Sequence, residues 1–243
     1  MAIVTGRLDD KTGILGVLSA RKKSTVKMFL SGIPRTLRKT VKAVCSDMYD
    51  GFIYAAQEVC GKRVKIVIDR LHGAKLYRKG LDTLRKQELQ RLQQELSEED
   101  YKQRQGVMWA LRKKEVQMTD EDKDKLARLF VHSPQVKIAY DLCNAFTEIF
   151  EKHMGKSRAK FQIKNWIQRV RDSEVQCFNN FLKTLAQWMD EIANYFIDRQ
   201  TSGFVEGLKN KINVIKRRCY GILNVKHLFQ RIHLDLSGYA LFA

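Results

Sequence analysis

Val41-Lys42-Ala43-Val44-Cys45-Ser46-Asp47, and further on Val64-Lys65-Ile66-Val67-Ile68-Asp69, decide the fold class. Each is a short apolar run rich in β-branched residues that ends on an acid, and residues 51–59 between them suit a helix closed by the turn Gly61-Lys62-Arg63. Strand, helix, strand is an α/β layer. Upstream, 2–5 and 13–19 have strand character, and Leu8-Asp9-Asp10-Lys11-Thr12 reads as the turn of a hairpin. Ser24-Thr25 can cap a helix through Met28, Phe29 and Leu30 that stops at Gly32 and Pro34. The four strands, 2–5, 13–19, 41–46 and 64–68, are expected in one sheet, because their apolar runs need burial.

Downstream of His72 the pattern changes to Leu, Phe, Trp, Lys and Glu at helical spacing, which predicts an all-helical region. A long amphipathic helix is expected over 76–105. Thr119 with Asp122 reads as a capping pair, and Ser133-Pro134 opens a helix toward His153. Trp109, Trp166 and Trp188 are expected in the helical core.

With 45 Lys and Arg against 27 Asp and Glu, the 243 residues carry a net charge of +18, which suits a polyanionic partner such as nucleic acid or an anionic membrane surface. The excess is uneven: residues 1–46 hold ten basic residues and two acids, 207–243 seven and one, and the long middle only 28 and 24. The ends therefore read as a basic surface for phosphates. Five cysteines without a C-x-x-C pair signal neither a disulfide framework nor a zinc knuckle. No long apolar run or leader pattern is present, so the chain reads as cytoplasmic and without membrane contact.

Asp47 and Asp69, 22 positions apart, both stand at the carboxyl end of an apolar strand, where open α/β sheets place ligands. From spacing alone the more frequent explanation is that each caps the helix that follows. His72, three residues beyond Asp69, belongs to the same helical face. Further on, Phe204, Leu208, Ile212 and Ile215 form one helical stripe, while Glu206, Asn210, Asn213 and Arg217 form another. A carboxylate sharing a face with amides and a guanidinium suits a metal ion beside a phosphate backbone; the plain alternative is a solvated basic helix.

Val44-Cys45-Ser46-Asp47-Met48, Ile66-Val67-Ile68-Asp69-Arg70-Leu71-His72, and Gly203-Phe204-Val205-Glu206-Gly207 running into Ile215-Lys216-Arg217-Arg218-Cys219-Tyr220-Gly221 occur in this order. In that order they resemble the catalytic domain of ISL-three-type bacterial insertion-sequence transposases, over essentially the whole chain. The resemblance implies an α/β fold: an RNase H-like mixed-sheet core with a large all-helical insertion between the fifth core strand and the Glu-bearing helix. It divides the chain into a partial core at 1–72, an insertion at 73–200 and closing helices at 201–243.

The resemblance also implies an Asp, Asp, Glu triad holding two Mg²⁺, with Asp47 and Glu206 as catalytic metal ligands and Asp69 and His72 supporting the site. Lys209, Lys211, Lys216, Arg217 and Arg218 fall where DNA would lie, and transposon ends, target DNA and further copies of the chain are the implied partners. The implied reaction is hydrolysis and then strand transfer of DNA, with the metal ions activating water or a 3′ hydroxyl. Two departures stand out. The strand that carries the first catalytic Asp belongs ahead of Ala2 and mid-sheet beside Asp47, so the chain reads as truncated at its N-terminus, and Asp9 and Asp10 in the hairpin turn do not replace that residue. Ser202 and Lys209 occupy positions where the family has Asn. The reading is thus a transposase catalytic part inactive as this chain; the alternative is a noncatalytic basic DNA-binding remnant or regulator of a full-length relative. A helical RNA-binding protein fits less well, because no basic strand interleaved with aromatics occurs.

Overall fold

The computed structural model describes residues 2–8, 11–61, 63–102, 106–199 and 203–242, but not the side chains of 204, 206 and 237–242. The expectations for Asp9, Asp10, Ser202 and the helix end at Gln105 lie outside the described residues. The order is β1 (Ala2–Leu8), β2 (Lys11–Leu18), α1 (Lys23–Gly32), α2 (Arg35–Thr40), β3 (Ala43–Ser46), α3 (Asp50–Cys60) and β4 (Lys65–Ile68). Helices follow: α4 (Arg70–Glu95), α5 (Glu98–Lys102), α6 (Val107–Ala110), α7 (Asp120–His132), α8 (Pro134–Glu151), α9 (Lys156–Asp172), α10 (Asn179–Ala193), α11 (Tyr195–Asp198), α12 (Gly203–Arg218) and α13 (Val225–Phe242). The fold is mixed α/β, and the chain divides into two compact units, Met1–Leu71 with Arg199–Ala243, and His72–Asp198.

In the first unit β1 and β2 form an antiparallel hairpin from Ala2↔Leu18 to Leu8↔Lys11, and β3 and β4 pair in parallel from Ala43↔Lys65 to Ser46↔Ile68. The expected single sheet is not found: among the described residues the strands form two separate two-stranded sheets. Their apolar side chains are buried by helices instead. One face of the hairpin, with Ile3, Ile14 and Val17, packs on Leu208, Ile212 and Ile215 of α12 and Leu228 and Ile232 of α13. The other, with Ala2, Val4 and Leu18, packs on Val26 and Phe29 of α1 and Phe52 and Ala55 of α3. Alternation along a strand sends successive side chains to opposite faces, so a two-stranded ribbon covered by helices on both sides satisfies the burial that a wider sheet was expected to supply. The α1 start also differs, since Lys22 is the N-cap and no side chain caps it, so Ser24 and Thr25 lie inside the first turn. Pro34 ends α1 as expected but also opens α2, because its fixed φ suits a helix start.

The second unit is helical throughout its described residues. Its first helix begins at Arg70 and stops at Glu95, short of the expected end, because Ser97-Glu98-Glu99-Asp100 makes a new start: Ser97 Oγ accepts from Asp100 N at 3.2 Å. Thr119 and Asp122 form the reciprocal capping box of α7. Pro134 occupies the first turn of α8, while the Ser133 hydroxyl donates to Glu88 Oε2 at 2.6 Å instead of capping. Trp166 and Trp188 are buried, but Trp109 is 62% exposed, under the Arg112 guanidinium. The four-residue helix α6 buries Val107 and Ala110 and so turns Trp109 outward. An aromatic cluster centres on Phe146, whose ring lies 4.5 Å from Trp166, 5.0 Å from Phe181 and 5.1 Å from Tyr77. The Trp166 indole N–H donates to Leu142 O at 2.8 Å, which satisfies its one polar atom in the core.

Candidate functional site

Parallel pairing carries Asp47 and Asp69 to the same end of the β3–β4 ribbon. Ser46 and Ile68 are register partners, and the next step of the ladder, Asp69 N–H to Ser46 O at 3.0 Å, sets the two acids on adjacent positions just past the strands. Their roles then diverge. Asp69 is fully buried and its Oδ1 accepts from Leu71 N at 3.2 Å in the first turn of α4, so it acts at least as a helix cap. Asp47 caps nothing, because the N-cap of α3 is Tyr49.

One Asp47 oxygen, Oδ2, accepts from the Arg21 guanidinium just beyond β2. That guanidinium also lies over the Phe52 ring, 5.4 Å from its centroid, and 5.9 Å from that of Tyr49. The other oxygen, Oδ1, is buried and has no hydrogen-bond partner among the described residues. A buried carboxylate oxygen without a donor is costly, and a bound cation is one way to satisfy it. Sequence reading missed Arg21; the only signal was a basic Arg21-Lys22-Lys23 run directly after a strand. The thiol of Cys45, beside them on β3, is pushed up to about 12 by burial and then by the Asp69 charge, so it is protonated at neutral pH. His72 is half-buried in the first turn of α4.

On α12 the predicted apolar stripe is present: Leu208, Ile212 and Ile215 are all buried, while Asn210, Asn213 and Arg217 are exposed. Glu206 lies in the first part of the same helix, and its side chain, like that of Phe204, lies outside the described residues. Lys209, Arg217 and Arg218 are exposed and Lys216 half-buried, while Lys211 faces Asp235 at 4.0 Å. The turn after α12 projects Tyr220, fully exposed at φ 51°, and Leu223, 95% exposed; from the sequence Tyr220 has a place in a motif but no role, and Leu223 has neither.

Asp47 Oδ1 fits one position of a hard oxygen-ligated cation such as Mg²⁺. Among the described residues, however, no group of three or more His, Cys, Asp and Glu can hold a metal ion. Nor is any described helix long and apolar enough to cross a membrane.

No solved structure matches the chain. A curated relative, the transposase for insertion sequence element IS1001 of Bordetella parapertussis, is 22% identical over 228 residues, covering 93% of this chain and 55% of its own length. The chain thus spans about half the length of the relative it matches. A family model described as Transposase, of the ISL3 type, matches residues 1–232. The chain belongs to the ISL3-type transposase family.

Proposed function

We propose that the chain is the catalytic part of a DNA transposase that cuts and rejoins phosphodiesters with divalent metal held by Asp47 and Glu206. The observation that carries this reading is the buried, unpartnered Oδ1 of Asp47 at the carboxyl end of a parallel strand pair. Membership of the transposase family supports the choice of DNA as substrate. In this reading residues 1–72 and 201–243 make an RNase H-like core and 73–200 is a helical insertion. Asp47 and Glu206 would hold the metal, which would supply activation of water and neutralisation of charge on the leaving oxygen. The chain's own residues do the rest. Asp69 fixes the start of α4 next to Asp47, His72 supports that turn, and Arg21 orients Asp47 through Oδ2. Lys209, Lys211, Lys216, Arg217 and Arg218 engage the phosphates, which are recruited by the basic ends.

Two carboxylates leave a two-ion centre short of a ligand, so the 243 residues alone are expected to bind DNA without cutting it. The second reading, a noncatalytic DNA-binding regulator, is supported by the basic excess of residues 1–46 and 207–243, which suits phosphate binding without any metal.

Nicking of a supercoiled plasmid that carries the element's ends separates the two. With Mg²⁺, the chain alone should leave the plasmid intact, and a version extended upstream to supply another carboxylate should nick it. Asp47→Ala or Glu206→Ala should then abolish nicking, while Asp50→Ala should not. Nicking by the extended protein that survives Asp47→Ala would overturn the assignment.

A further inference from the structure

Residues 72–198 hold 23 Lys and Arg against 19 Asp and Glu, and α9 alone holds six against one, so this helix accounts for more than the whole surplus of the helical unit. Elsewhere in that unit many basic side chains are neutralised by near neighbours, as Arg85 is by Asp82 at 2.8 Å, Arg91 by Glu88 at 2.8 Å and Lys125 by Glu121 at 2.5 Å, although Lys79, Lys137 and Lys183 have no such ion pair among the described residues. On α9 only Lys156 and Lys160 are paired, and they share one carboxylate, Asp190, at 3.0 and 2.9 Å. Arg158, Lys164, Arg169 and Arg171 have no acidic partner among the described residues.

Helical periodicity orders these cations. Ala159, Ile163, Trp166 and Val170 form the buried stripe. Directly opposite run Phe161, 60% exposed, and Gln168, whose amide donates to Asp172 Oδ1 at 2.7 Å at the end of the same ridge, with Lys164 and Arg171 along one flank and Arg158, Asn165 and Arg169 along the other. An apolar ring and an amide on the ridge, with unneutralised cations on both sides, match a helix lying in the DNA major groove, which is about 12 Å wide against a helix diameter of about 10–12 Å. The flanking cations meet the phosphates of the two strands, while Phe161 meets base edges, where the thymine methyl is the apolar contact.

We propose that α9 is a DNA-docking helix that places Phe161 in the major groove, a second DNA surface carried by the helical unit. The choice of DNA among polyanions rests on the transposase reading; the surface itself does not depend on Asp47 or Glu206.

The test is equilibrium binding of the 243-residue chain to a 30-bp alternating A·T duplex over a range of salt. Combined Arg158→Glu, Lys164→Glu and Arg169→Glu should weaken binding by at least about tenfold at 0.1 M salt and make the salt slope shallower by roughly 2 to 3, since each lost phosphate contact contributes about 0.9. The triple Gln variant, with far-ultraviolet circular dichroism as a check on folding, should show the shallower slope with a smaller loss. Phe161→Ala should weaken binding to the thymine duplex and have little effect on its uracil counterpart, which lacks the methyl groups. Unchanged affinity and slope in the α9 variants, with binding lost in Lys216→Gln, Arg217→Gln and Arg218→Gln, would overturn the α9 proposal and leave the core reading standing. Tighter binding of the unmodified chain to duplex RNA, whose narrow major groove admits no helix, would also overturn it.

Discussion

At Asp47 the two carboxylate oxygens are in opposite situations, one held by Arg21 and the other buried without a donor. Arg21 is 54% exposed, and such an ion pair contributes only ~0–1 kcal/mol. Arg21→Ala is therefore expected to tighten Mn²⁺ binding two- to fivefold by freeing Oδ2, and Asp47→Ala to weaken it. Electron paramagnetic resonance titration reads both, and equal affinities in the two variants would count against Asp47 as a ligand. Asp122 gives a separate pH signature. The Lys113 ammonium, then the Thr119 backbone N–H, hold its carboxyl down to about 2, below the ordinary 3.8. A depressed folded-state value means that its stabilisation is complete above about pH 4 to 5 and is lost as pH falls through about 2. Asp122→Asn should flatten the acid limb of thermal stability, and Thr119→Ala should cost ~1 kcal/mol at neutral pH, both measurable by calorimetry. The Thr119–Asp122 pair was legible in the sequence because the whole device lies within four residues. Arg21 was not, because it meets Asp47 across 26 positions, which no local spacing reveals.

Among the elements, the strands at 2–8, 11–18, 43–46 and 65–68 and the change to helices after His72 follow from local pattern alone. The partners of those strands do not, because an apolar run states only that a face must be covered, and α12 and α13, some two hundred residues downstream of β1, are among the elements that cover it. Ile212, fully buried between hairpin and α13, measures that cover: Ile212→Ala should destabilise the first unit by about 2–5 kcal/mol in denaturant unfolding. Within the second unit, Gly80 is required by a close approach that its own helix does not announce. A Cβ added there would stand 2.4 Å from the Cys177 carbonyl oxygen. Gly80→Ala should lower stability by ~1–3 kcal/mol, although Ala is the better helix former, and a gain in melting temperature would show that the approach is looser than this.

Across the whole molecule, charge and chemistry are separated along the chain: the basic ends belong to the unit with Asp47, while the interior of the sequence forms a near-neutral helical unit with one strongly basic helix. The candidate acids were legible as types at strand ends and on a helix face, and the register of β3 and β4 then brings Asp47 beside Asp69. Periodicity says nothing of the proposed convergence of Asp47 and Glu206, 159 positions apart, on one cation, and that convergence is the central claim. Fe²⁺ substituted for Mg²⁺ generates hydroxyl radicals that cut the polypeptide next to its binding site, so mapping the cuts reads the claim directly. Cuts clustered at 46–48, 68–70 and 205–207, lost together in Glu206→Ala, are the predicted result. Cuts confined to the acidic first turn of α7, or cuts near Asp47 that persist unchanged in Glu206→Ala, would contradict it.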